Sequence, residues 1–189
     1  MFKHSPYIVH CFGANVSFED NVNPYNLLLE YASRGSLADR LQNCNSLPEF
    51  GVKKHTKNVL LGLSFINNKG IIHSDIKPGN ILLVGRDKIA KIVEFGLSVT
   101  LEQGMNQKQG VFRGTERLMA PESVINTEYC PQVDIWNSSK LANTEKTRKK
   151  KSDSMPLLDR WMDGWMDRLI DKSTDQQIDR STVLDRSTD

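Results

Sequence analysis

From Tyr7 to Trp136, short apolar runs alternate with turn signals. Tyr7-Ile8-Val9 and Asn26-Leu27-Leu28-Leu29-Glu30-Tyr31 have the length and apolar character of strands. Ser36 stands where a helix N-cap would, with Asp39 in the first turn, so a short helix is expected over residues 37–41. Between Leu47 and Asn68, the residues Val52, Thr56, Val59, Leu60, Leu63 and Ile66 recur at three- and four-residue spacings. That spacing predicts one amphipathic helix, with Gly70 positioned to stop it. The apolar runs at 81–84 and 88–92 flank Gly85-Arg86-Asp87, which suits a small hairpin.

After Trp136 the rhythm stops. Lys146 to Lys151 reads K-T-R-K-K-K, a charge run that is first of all a solvated linker and secondly a nuclear-import signal. Trp161-Met162-Asp163-Gly164-Trp165-Met166-Asp167 follows, then Asp-Arg and Ser-Thr-Asp units to Asp189. The repeated tetranucleotide TGGA, read in triplets, encodes Trp-Met-Asp-Gly. Leu158, Trp161, Trp165 and Leu169 also have the spacing of an amphipathic helix, but the simple repeat accounts for residue order as well as polarity. The expectation is a folded region over residues 1–136 and a low-complexity tail over 137–189, disordered or translated from simple-repeat DNA.

Composition narrows the class. Hydrophobic residues make up 38% and charged residues 25%, the balance of a soluble domain. There is no run of eighteen apolar residues, which argues against a membrane span, and the N-terminus lacks the apolar core of a signal peptide. Three cysteines, odd in number and without paired spacing, read as reduced thiols inside the cell, in the cytoplasm with the nucleus as alternative. A net charge of +2 without a basic stripe argues against nucleic acid as a partner.

Four short motifs carry chemistry. In His73-Ser74-Asp75-Ile76-Lys77-Pro78-Gly79-Asn80, a carboxylate and an amide lie five positions apart, as a phosphoryl-transfer site needs to orient a hydroxyl and hold magnesium. Alone, Asp-Lys-Pro is ordinary turn chemistry. It is followed by Lys91-Ile92-Val93-Glu94-Phe95-Gly96-Leu97-Ser98, then by Gly114-Thr115-Glu116-Arg117-Leu118-Met119-Ala120-Pro121-Glu122, then by Asp134-Ile135-Trp136.

In this order the motifs resemble the catalytic domain of protein serine/threonine kinases, and the stretch from Asn26 to Leu37 looks most like plant-type mitogen-activated protein kinase kinase kinases. The resemblance implies an α+β, protein kinase-like fold, here partial: the end of the N-lobe, the hinge, and the first half of the mostly helical C-lobe. It implies ATP and Mg2+ as cofactors and a protein substrate, a downstream kinase among the candidates. Asp75 would be the base, Lys77 would contact the transferred phosphate, and Asn80 and Glu94 would hold the metal. Leu29 would be the gatekeeper, backbone groups of Glu30 and Ala32 would meet the adenine edge, and Leu82 would form its floor. His73 would be a packing residue, and Thr115 would sit where the peptide substrate is met.

Three departures weigh on activity. Glu94 stands where the family has Asp, carrying its carboxylate about 1.5 Å further by bond lengths. Ser74 replaces an Arg that would pair with a phosphorylated activation loop, so no dependence on that phosphate is expected. No G-x-G-x-x-G occurs, nor the strand Lys and helix Glu of the phosphate clamp, and the resemblance is expected to be cut off at both ends. The expectation is an impaired kinase; the alternative is a catalytically dead, pseudokinase-like binding module or a non-functional gene fragment.

Overall fold

In the computed structural model, which describes residues 5–18, 23–44, 47–105 and 112–146 (backbone alone for 105 and 140–146), the first regular element is a two-stranded antiparallel ribbon. β1 (Cys11–Val16) pairs with β2 (Tyr25–Leu29) in the register Val16↔Tyr25, Ala14↔Leu27 and Cys11↔Leu29, with an irregularity between Cys11 and Gly13. The ribbon is apolar yet open to solvent, with Phe12, Tyr25, Leu27 and Leu28 all exposed. α1 (Leu37–Asn43) starts from a reciprocal capping box. Ser36 Oγ accepts from the Asp39 amide at 3.1 Å, and Asp39 Oδ2 accepts from the Ser36 amide at 2.8 Å. The helix continues past residue 41, where the pattern suggested a stop, to Asn43, with Leu37 and Leu41 buried.

α2 (Glu49–Asn67) runs through the core. Its buried face holds Val52, Thr56, Val59, Leu60, Leu63 and Ile66, the residues marked out by spacing, together with His55. Gly62 allows the close approach on which that packing rests. A Cβ there would lie 2.9 Å from Ile92 Cδ1 and 3.1 Å from the Tyr7 carbonyl oxygen. The chain leaves the helix through Asn68 and turns at Gly70, whose φ is +70°.

Beyond α2, β3 (Ile71–Ile72), β4 (Ile81–Val84), β5 (Ile89–Ile92) and β6 (Val99–Thr100) form two small antiparallel pairs, β3 with β6 and β4 with β5. Ile81, Leu83, Ala90 and Ile92 are fully buried, and β5 packs against α2. The pleat turns the opposed pair Leu82 and Lys91 to the other face. Residues 7–9, expected as a strand, make one parallel bridge, Ile8 to Ile92. A turn at Ser5, whose Oγ accepts from the Tyr7 amide at 3.3 Å, keeps the chain from extending earlier. Val9 N then donates to Ile92 O at 2.9 Å.

Short helices α3 (Leu101–Met105) and α4 (Pro121–Ile125) precede α5 (Pro131–Lys146), which packs on α2. α5 crosses the boundary drawn at residue 136. Asn137 and Ser138 are buried, and Ser138 Oγ donates to the Ile135 carbonyl at 2.8 Å. The rest of the expected tail, including the repeat, lies outside the described residues. Among the described residues, no helix is long and apolar enough to cross a membrane.

His55 gives the fold a pH dependence. Burial pushes its pKa down from 6.5 to about 4, helped by the charges of Arg40, Lys54 and Lys88. The unfolded chain therefore binds the extra proton, so this contribution to stability is full above pH 6.5 and is lost as pH falls towards 4. We predict that the urea midpoint drops over that interval and that His55→Gln drops less steeply. Equal slopes would remove His55 as the cause.

Candidate active site

The loop between β3 and β4 is polar and buried, so its backbone amides need partners. Asp134, in the first turn of α5, supplies two: its Oδ2 accepts from His73 N and its Oδ1 from Ser74 N, both at 2.8 Å. These bonds hold Ser74 at φ +70°, a conformation that costs a non-glycine residue about 1–3 kcal/mol. Asp134 is fully buried. Loss of solvent raises its carboxyl pKa to about 7, against the pull of the two amides.

His73 ties the same loop to the end of β5. Its Nε2 lies 3.0 Å from the Val93 carbonyl oxygen, and its Nδ1 accepts from the Asp75 amide at 3.3 Å. A carbonyl can only accept and an amide can only donate, so the ring is the neutral tautomer with its proton on Nε2. Burial depresses its pKa, in keeping with that state. The Phe95 ring meets it edge-on, with centroids 5.0 Å apart.

Asp75 is the centre of the arrangement. Lys77 Nζ sits 2.7 Å from its Oδ2, Thr115 Oγ1 donates to its Oδ1 at 2.7 Å, and Asn80 Nδ2 donates to its Oδ2 at 3.0 Å and to its backbone carbonyl at 2.8 Å. Lys77 Nζ also donates to Thr115 Oγ1 at 3.0 Å. Burial pushes the Asp75 pKa up, but the bonds from Lys77, Thr115 and Asn80 outweigh it and leave the carboxyl below its ordinary value. An ionised carboxylate, a hydroxyl and an ammonium thus lie in mutual contact.

Glu94 follows β5 with φ +68°, exposed, and its carboxylate has no bonded partner among the described residues. Because Asn80 uses its amide nitrogen on Asp75, its amide oxygen is the group left to offer a metal. Two hard oxygen donors suit magnesium, which is bound by few side chains together with waters and phosphates. Among the described residues no group of three or more His, Cys, Asp or Glu could hold a metal by itself.

On the other side of β4, Glu30 continues from β2. Its carboxylate takes Lys91 Nζ at 2.7 and 2.8 Å and the His10 amide at 3.2 Å. Burial raises the Glu30 pKa, and Lys91 and His10 more than offset this to leave it lowered. Leu82 is opposite Lys91 in the β4–β5 register, and Ser36 bridges to Leu82. Leu29, Leu82 and Ala32 are half-buried. The structure therefore joins Asp75, Lys77 and Asn80 by direct bonds and sets Glu30 and Leu82 around Lys91. Sequence reasoning missed the Lys91–Glu30 pair. The available signal was a lysine inside the apolar strand Ile89-Ala90-Lys91-Ile92.

The family model for the protein kinase domain matches residues 1–144. The chain belongs to the protein kinase family. It is 43% identical over 135 residues to mitogen-activated protein kinase kinase kinase 20 of Arabidopsis thaliana, covering 69% of this chain and 39% of that protein. Kinase kinase kinase 18 of the same plant is 38% identical over 140 residues, covering 70% of this chain and 40% of that protein. Kinase kinase kinase 8 of Rattus norvegicus is 35% identical over 136 residues, covering 72% and 27%. The chain thus spans about two fifths of the length of the two plant relatives. In this kinase-family chain, Asp134 anchors the segment 73–80 that carries Asp75, Lys77 and Asn80.

That anchor can be tested directly. Asn in place of Asp134 keeps one acceptor oxygen but turns an NH2 group towards the second amide. We predict that Asp134→Asn lowers stability by about 1–3 kcal/mol, the cost of a buried unpaired donor. Urea denaturation would measure it, and an unchanged midpoint would show that the two amides find other partners.

Proposed function

We propose that this chain transfers the γ-phosphoryl group of ATP to a serine or threonine hydroxyl of a protein, at a rate reduced by Glu94. The observation that carries the reading is the Thr115 hydroxyl donating to Asp75 Oδ1 at 2.7 Å beside the Lys77 ammonium. A substrate hydroxyl placed in that way is oriented by the carboxylate, while Lys77 offsets charge on the group being transferred. Backbone groups of Glu30 and Ala32 would meet the adenine edge between Leu29 and Leu82. Asn80 and Glu94 would hold Mg2+, which when bound neutralises phosphate charge.

The two plant relatives are each named as a kinase of a kinase kinase, which supports a downstream kinase as the substrate here. None of the three cysteines is in a disulfide, in keeping with a reducing, intracellular setting, the cytoplasm with the nucleus as alternative. The extra methylene of Glu94 favours impaired catalysis, because magnesium tolerates little deviation from octahedral geometry. The competing reading, a pseudokinase-like module that binds without transferring phosphate, rests on the same residue.

The test is phosphate transfer to a protein or peptide substrate, together with the thermal shift produced by magnesium-ATP. We predict that Asp75→Asn lowers the rate by about 10²–10⁴-fold, the usual worth of a positioned acid–base group. Asn80→Ala should abolish the thermal shift, and Glu94→Asp should raise the transfer rate by roughly tenfold, or about 1.4 kcal/mol of barrier. A shift without transfer, unchanged in Glu94→Asp, would favour the binding module. Neither shift nor transfer would end the kinase reading for this chain.

A further inference from the structure

Tyr129 lies between α4 and α5 and is 1% exposed, its ring in a cluster with Ile72, Val99, Ala120 and Val133. Leu101 and Met119 pack against the same cluster, so it touches the chain both shortly after Glu94 and shortly before Pro121. The backbone of Tyr129 meets the first side. Its amide donates to the Gly104 carbonyl at 3.4 Å, and a Cβ on Gly104 would overlap the Tyr129 carbonyl oxygen. The hydroxyl meets the second side: Oη accepts from Arg113 N at 2.5 Å and donates to Arg113 O at 3.1 Å.

Both backbone groups of Arg113 are thereby fixed by one phenol. Gly114 follows with φ +109°, in a space where a Cβ would lie 2.5 Å from the Ser74 carbonyl oxygen. Next comes Thr115, with its bonds to Asp75 and Lys77. A rigid path thus leads from the Tyr129 ring to the hydroxyl on the Asp75 carboxylate. Segments of this kind can instead be ordered by a phosphate paired with arginine. Residues 101–114 contain no Ser, Thr or Tyr that could carry one.

We propose that Tyr129 is a positioning residue: by holding the backbone at Gly104 and at Arg113 it sets Thr115 on Asp75. This rests on the kinase reading above for its catalytic consequence, but not for the clamp itself. The full chain serves for the test. In the wild type, the Arg113 amide should exchange with solvent at least about a hundredfold more slowly than an open amide. In Tyr129→Phe, which keeps the ring, Arg113 exchange should accelerate while the amides of α2 keep their rates. With a peptide substrate, kcat should fall roughly tenfold and KM for ATP should stay constant, because the nucleotide side is untouched.

An unprotected Arg113 amide in the wild type would overturn the proposal, as would unchanged Arg113 exchange or unchanged kcat in Tyr129→Phe. Equal acceleration in α2 would mean that Tyr129→Phe has lost the fold, and the wild-type exchange rate then decides. If the wild type transfers no phosphate, the functional reading fails while the exchange measurements still decide the clamp.

Discussion

A carboxylate removed from water organises the loop between β3 and β4. Asp134 reaches back from α5 to the amides of His73 and Ser74, 61 and 60 positions away in sequence. Those bonds hold the left-handed backbone at Ser74, and the neutral His73 ring is bonded in turn to Val93 and Asp75. Once those amides are fixed, His73 Nδ1 receives the Asp75 amide, and the carboxylate is set where Lys77, Thr115 and Asn80 converge. Contacts so distant in sequence form only after the intervening chain has closed, at a cost in loop entropy. The loop and its anchor should therefore order together.

The electrostatics of Asp75 shape its part in the proposed chemistry. A carboxyl held below its ordinary pKa by an ammonium, a hydroxyl and an amide is a weak base at neutral pH. Its contribution to phosphoryl transfer is then orientation of the incoming hydroxyl more than early removal of its proton. That suits a loose transition state, in which bonding to the nucleophile is slight and positioning dominates. Lys77 serves both sides of this arrangement, since it touches Asp75 and Thr115 at once.

Elements with a strong period were legible in the sequence. The spacing of Val52, Val59, Leu63 and Ile66 gave away α2, and Gly85-Arg86-Asp87 gave away the β4–β5 hairpin. The meeting of Asp75, Lys77 and Asn80 was legible because they lie within one short loop. What stayed hidden depends on partners far along the chain. β1 reads Cys-Phe-Gly-Ala-Asn-Val, with small and polar residues that obscure any alternation, and its pairing is supplied by β2. The run of α5 past Trp136 was masked by Asn137-Ser138-Ser139, polar side chains of which Ser138 and Ser139 turn their hydroxyls back onto carbonyls of their own helix. Lys91 and Glu30 lie 61 residues apart, and no local pattern couples them.

The β1–β2 ribbon bears on the life of the protein in a cell. It is two strands wide, with no further strand paired to either among the described residues, and Phe12, Tyr25, Leu27 and Leu28 face solvent. A two-stranded ribbon has little stability of its own, and an unpaired strand edge is a template for strand addition by another polypeptide. Chaperones and proteases survey such surfaces continuously. A substitution in the ribbon can therefore act on turnover while the bonds around Asp75 stay in place.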